Sequence, residues 1–84
     1  MIRLIDTENK SHFTITDFNL GREQKRRLFN MGIYSNDLYE RVAGNGSGPI
    51  VIKNITSNSN PIAVGRRLAE HIMVSYSKNI NEDK

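Results

Sequence analysis

His12 and His71 are the only histidines in this 84-residue chain, and cysteine is absent. A structural zinc site typically takes four ligands. Neither histidine has a second metal-favouring side chain at i+3 or i+4. Glu70 adjoins His71 and points elsewhere on a helix. Two partly exposed histidines and no metal site in the monomer are expected, with direct iron binding left open. Serines and carboxylates are scattered through loop-like stretches. Asp6, Glu8 and Asp17 have no apolar pocket behind them, and Glu82 and Asp83 lie in a polar tail. No nucleophile–base set or paired-carboxylate site emerges, so an enzyme is the least favoured class. The run Gly44-Asn45-Gly46-Ser47-Gly48 is glycine-rich, but phosphate loops lead into a helix. Pro49 and a β-rich run follow here, which marks a hairpin turn.

The residue types left for chemistry are cations. Lys25, Arg26 and Arg27 are consecutive, and Arg66 and Arg67 form a second pair. With a formal net charge of +3, they suit steering toward an acidic partner better than a dense nucleic-acid footprint. On a helix, three consecutive residues spread around most of the circumference. One stem is therefore expected to lean on the core edge. An arginine at the end of a barrel strand is a candidate for backbone contacts that fix it against the sheet.

The length sets one small domain with a thin core. Lack of cysteine suits a reducing compartment. No apolar run approaches the roughly 20 residues a membrane-spanning helix needs. Met1–Lys10 carries Asp6 and Glu8 where a signal peptide is apolar, so no export signal is read. The sequon Asn54-Ile55-Thr56 is then a chance match.

These side chains must be positioned by short elements. Met1–Ile5 is a short strand or lead-in, and Phe13–Thr16 alternates as a half-buried strand does. Arg22–Met31 is the best helix, with Asn19 as a possible cap, Glu23 in its first turn and Gly32 ending it. Leu20, Gln24, Leu28 and Met31 share one stripe, where only Gln24 is polar. Leu38–Ala43 is an untidy strand, with Glu40 between Leu38 and Val42 on one face. Ile50–Ile55 is the clearest strand, Pro61–Val64 another and Ile72–Val74 the last. Gly65 breaks the chain before a short helical turn within Arg66–His71. The sum is a mainly β fold: about five short strands curled into a small barrel, one inserted helix, and a helical turn before the last strand.

Lys25-Arg26-Arg27-Leu28-Phe29-Asn30-Met31-Gly32-Ile33 resembles the signature of the FeoA family: a basic helix, Leu, two variable residues, Met or Leu, Gly, and an aliphatic residue. Ile62-Ala63-Val64-Gly65-Arg66, with Ala69, Ile72 and Val74, is similar to the family's closing segment. Gly48-Pro49-Ile50 stands where the family often has its hairpin exit. The resemblance covers Phe13–Val74. One departure is Tyr34-Ser35-Asn36-Asp37 in place of Pro-Gly, where Asn36 can supply the left-handed residue.

The resemblance implies an SH3-like barrel over residues 1–74, with a polar, frayed tail over 75–84. Leu28, Met31, Gly32, Ile33 and Gly65 are its structural motif. It further implies a cytoplasmic accessory or regulatory protein of bacterial ferrous iron uptake. That protein has no cofactor and no reaction of its own. Its partner is the FeoB-type transporter, it meets the membrane only through that partner, and it can form a homo-oligomer. Lys25, Arg26, Arg27, Arg66 and Arg67 are the candidate partner-binding residues. Two alternatives stay open: a small basic barrel that binds nucleic acid, and a detached SH3-like domain of an iron-responsive repressor.

Overall fold

The computed structural model describes residues 1–44 and 46–77. Six strands form one antiparallel sheet: β1 (Ile2–Arg3), β2 (His12–Phe18), β3 (Leu38–Ala43), β4 (Ile50–Asn54), β5 (Ile62–Val64) and β6 (Ile72–Tyr76). Their order is β1-β6-β2-β3-β4-β5. A 3₁₀ turn (Leu4–Asp6) follows β1, helix α1 (Arg22–Asn30) lies between β2 and β3, and the single turn α2 (Arg66–Ala69) precedes β6. The lead-in is thus a true strand, which brings the expected five to six.

Period-two alternation places Phe13 and Ile15, Ile50 and Ile52, and Ile72 and Val74 inside. They meet Leu4, Leu28, Ile33, Tyr39, Val64 and Ala69 in one cluster, as in a sheet curled into a small barrel. Register shifts at Ile15/Asp17 and at Arg41/Ala43 supply the bends that such a curl needs. The end strands β1 and β5 have 2 and 3 residues, which keeps the unpaired edges small.

The ending of α1 follows its sequence. The Gly32 N–H donates to Phe29 O and the Ile33 N–H to Leu28 O, both at 3.0 Å, with Gly32 at φ 95°. This is a Schellman ending, closed by the buried pair Leu28 and Ile33. Asn36 also adopts a left-handed conformation, at φ 75°.

Three expectations need correction. Asn19 does not cap α1: its backbone N–H is held by His71 O at 2.7 Å, and the extended Gly21 precedes the helix without a side-chain cap. The last strand runs to Tyr76 rather than Val74, because Ser75 and Tyr76 pair with Thr14 and Phe13 of the longer β2. In β3 the inward residues are Tyr39 and Arg41, while Leu38 is only half-buried and Val42 is exposed. Residues 78–84, where most of the tail was expected to fray, lie outside the described residues.

Candidate functional site

Where β2 runs into α1, the chain passes close to the α2–β6 corner. The Asn19–His71 backbone bond ties the two segments together. Between them opens a cleft of about 490 Å³. Leu20 and Leu68 line it and pack against the core from the outside. Gln24 and Arg27 of α1 stand on one side, and Arg67 and His71 on the other.

The two basic runs have 38 residues between Arg27 and Arg66, their nearest ends, yet the fold brings one arginine from each to this cleft. Arg27 and Arg67 are both exposed. Among the described residues the ion pair recorded is Arg3–Asp6, at 2.9 Å between β1 and the 3₁₀ turn that follows it. The cleft thus sets two cations over an apolar floor.

The remaining cations are placed differently. Lys25 and Arg26 are exposed on α1 and do not line the cleft. Arg66 is half-buried and donates to Gly48 O at 3.2 Å, which fixes it against the β3–β4 turn. Leu28 is the one fully buried residue of α1, and Met31 packs part-buried beside it. Gly65 is extended and precedes α2. His12 pairs with Glu40 across β2 and β3, while His71 lies at the cleft. Among the described residues no group of three or more His, Asp or Glu side chains is placed to hold a metal ion.

Sequence reasoning missed Arg41. This guanidinium is 5% exposed and donates to Ile5 O at 3.2 Å and to the carbonyls of Thr7 and Gly44. Burial lowers its pKa from the ordinary guanidinium value, and the charge of Arg66 adds to the effect. A charged residue on an untidy strand carries no signal that backbone carbonyls of two turns will surround it. Gln24 was visible as the polar intruder in an apolar stripe, and its place at the cleft explains it.

A second cleft, of about 440 Å³, runs between Met31, Gly32 and Tyr34 on one side and Pro61 and Ile62 on the other. Tyr39 underlies this end of α1. Its hydroxyl donates to Gly32 O at 3.0 Å and accepts from the Tyr34 N–H at 2.7 Å. Burial pushes the Tyr39 phenol's pKa up.

A curled antiparallel sheet with a helix between its second and third strands and a helical turn before its last defines a small SH3-like barrel. Solved structures share it. The chain is similar to the crystal structure of an iron uptake regulatory protein (FeoA), with TM-score 0.79 and 20% identity over 90% of this chain and 97% of that one. It is similar to the FeoA-like protein from Clostridium acetobutylicum, with TM-score 0.74 and 18% identity over 89% and 85% of the two chains. The FeoA protein from Chlorobium tepidum gives TM-score 0.72 and 16% identity over 99% and 78%. No curated protein matches the sequence. The FeoA domain family matches residues 2–76. The chain belongs to the FeoA family, an accessory family of iron transport, and so takes part in ferrous iron uptake. Among the described residues no helix is long and apolar enough to cross a membrane.

Proposed function

We propose that this protein is a cytoplasmic accessory of ferrous iron uptake that binds the cytosolic part of a FeoB-type transporter and catalyses no reaction itself. The observation that supports this reading is the convergence of Arg27 and Arg67 on one cleft over Leu20 and Leu68. Two exposed cations over an apolar floor suit an acidic protein surface that also offers an apolar side chain. Such a contact gains affinity from apolar burial and association rate from charge. Lys25 and Arg26 extend the field along α1, and Arg66 contributes from the hairpin side.

The double change Arg27→Glu with Arg67→Glu tests it. Both side chains are exposed, so the melting curve is expected to stay close to wild type. Binding to the transporter's cytosolic domain and iron uptake in cells are expected to fall together. Wild-type affinity in the double variant would remove the cleft from the contact.

A further inference from the structure

Helix α1 has a face that the cleft leaves unused. By helical spacing Arg22, Lys25, Arg26 and Phe29 share one stripe. All four are exposed, and Phe29 is 62% exposed. Leu28 points to the core, and Gln24 and Arg27 face the cleft. Neither cleft described above includes any of the four side chains. The Phe29 ring is braced edge-on by Tyr34, with centroids 5.0 Å apart. Glu23 is the one carboxylate of the helix and lies off the stripe. None of the three cations takes part in the ion pair recorded among the described residues.

The geometry points to docking of this outer face on an anionic phospholipid surface. Three cations around one protruding, braced aromatic ring match what a lipid interface recognises. The cations meet negative headgroups, and the ring sits at headgroup depth. A specific protein contact favours a recess that accepts a side chain, and neither cleft is lined by any residue of the stripe. The sequence implies membrane contact only through the transporter, whereas this face makes contact of its own. Because the stripe and the cleft lie on different sides of α1, lipid and protein can be engaged together. The inference does not depend on the transporter reading. One helix of 9 residues with a single exposed ring gives weak, reversible, salt-sensitive binding.

Sedimentation with vesicles tests it, using pure phosphatidylcholine and an equal mixture of phosphatidylcholine and phosphatidylglycerol. The full chain is expected to co-sediment with the mixed vesicles at low salt and not with the neutral ones. Lys25→Ala with Arg26→Ala is expected to weaken partitioning roughly 30-fold, since each basic residue contributes about five-fold. Arg3→Ala with Lys53→Ala removes as much charge from the sheet and is expected to change binding little. The chain has no tryptophan, so Phe29→Trp is a single reporter whose emission is expected to shift to the blue on mixed vesicles. Absence of wild-type binding, equal loss in the sheet variant, or an unshifted Trp signal would each overturn the proposal. So would an α1 double variant that loses the transporter domain while wild type ignores vesicles, because the face would then serve a protein.

Discussion

A guanidinium whose hydrogen-bond partners are backbone carbonyls answers first to burial, and a carboxylate that does not bond it, as Asp6 here, offsets only part of the loss of water. Arg41 is in that position, and its Nε has no hydrogen-bond partner among the described residues. It still ties the segment after β1 to the β3–β4 turn through Thr7 and Gly44. Arg41→Ala leaves those carbonyls unpaired over a void, and a loss of about 3 kcal/mol in urea melts is expected. Arg41→Met keeps the stem and removes the buried charge, so it is expected to cost less. Gly44 sits at φ 122°, and a Cβ there would lie 2.8 Å from Pro49 O and 2.9 Å from Ile50 Cα. Gly44→Ala is therefore expected to destabilise by about 2 kcal/mol or more. At Gly32 an added Cβ meets only Ile62 Cδ1 at 3.5 Å, so Gly32→Ala is expected to cost about 1 kcal/mol, from its left-handed backbone alone. Tyr39 sets an alkaline limit. Its phenol is raised by burial, so the folded state holds the proton more tightly than the unfolded chain does. That contribution is complete below the unfolded value of about 10 and is lost as pH rises through the raised folded value. Melts across the alkaline range are expected to show this decline, and Tyr39→Phe to flatten it at the cost of an unpaired Tyr34 N–H.

At the scale of the element, α1 shows what local chemistry specifies. Its Gly32 ending and basic later turns are legible because caps and charges act within a turn of themselves. The face of β3 is not. Leu38 and Val42 are the apolar pair in sequence, but Tyr39 is the side chain whose hydroxyl reaches Gly32 and Tyr34, and its inward turn carries Arg41 with it. Those partners lie seven and five residues back, in the turn between α1 and β3, so alternation within the strand alone does not select them. The loss of Asn19 as a cap has the same origin, a backbone bond to His71 that sequence spacing does not reveal. Helix α1 is anchored in the core by Leu28. Leu28→Ala is expected to cost about 3 kcal/mol. Amide exchange is expected to speed up first in Arg22–Asn30, with β2 and β6 still protected. Uniform loss of protection would mean that the helix and sheet open as one unit.

At the scale of the molecule, the candidate site was legible in its parts and not in its assembly. Both basic runs stood out in sequence, but only the folded chain sorts them: Arg27 and Arg67 to the cleft, Lys25 and Arg26 to the outer face, Arg66 to Gly48. Cleft binding is expected to weaken as the Debye length falls from about 10 Å at 0.1 M salt to about 3 Å at 1 M. A titration against the transporter domain checks this, and salt-independent affinity would assign the contact to Leu20 and Leu68 alone. The sheet order has a separate consequence. Strand β6 lies between β1 and β2, so the last strand of this sheet to leave a ribosome is the partner that both early strands require. A nascent chain stopped before Ile72 leaves β1 with no neighbour and β2 with one. Folding must wait for nearly the whole domain to emerge, and the exposed β2 edge is a target for chaperones until it does.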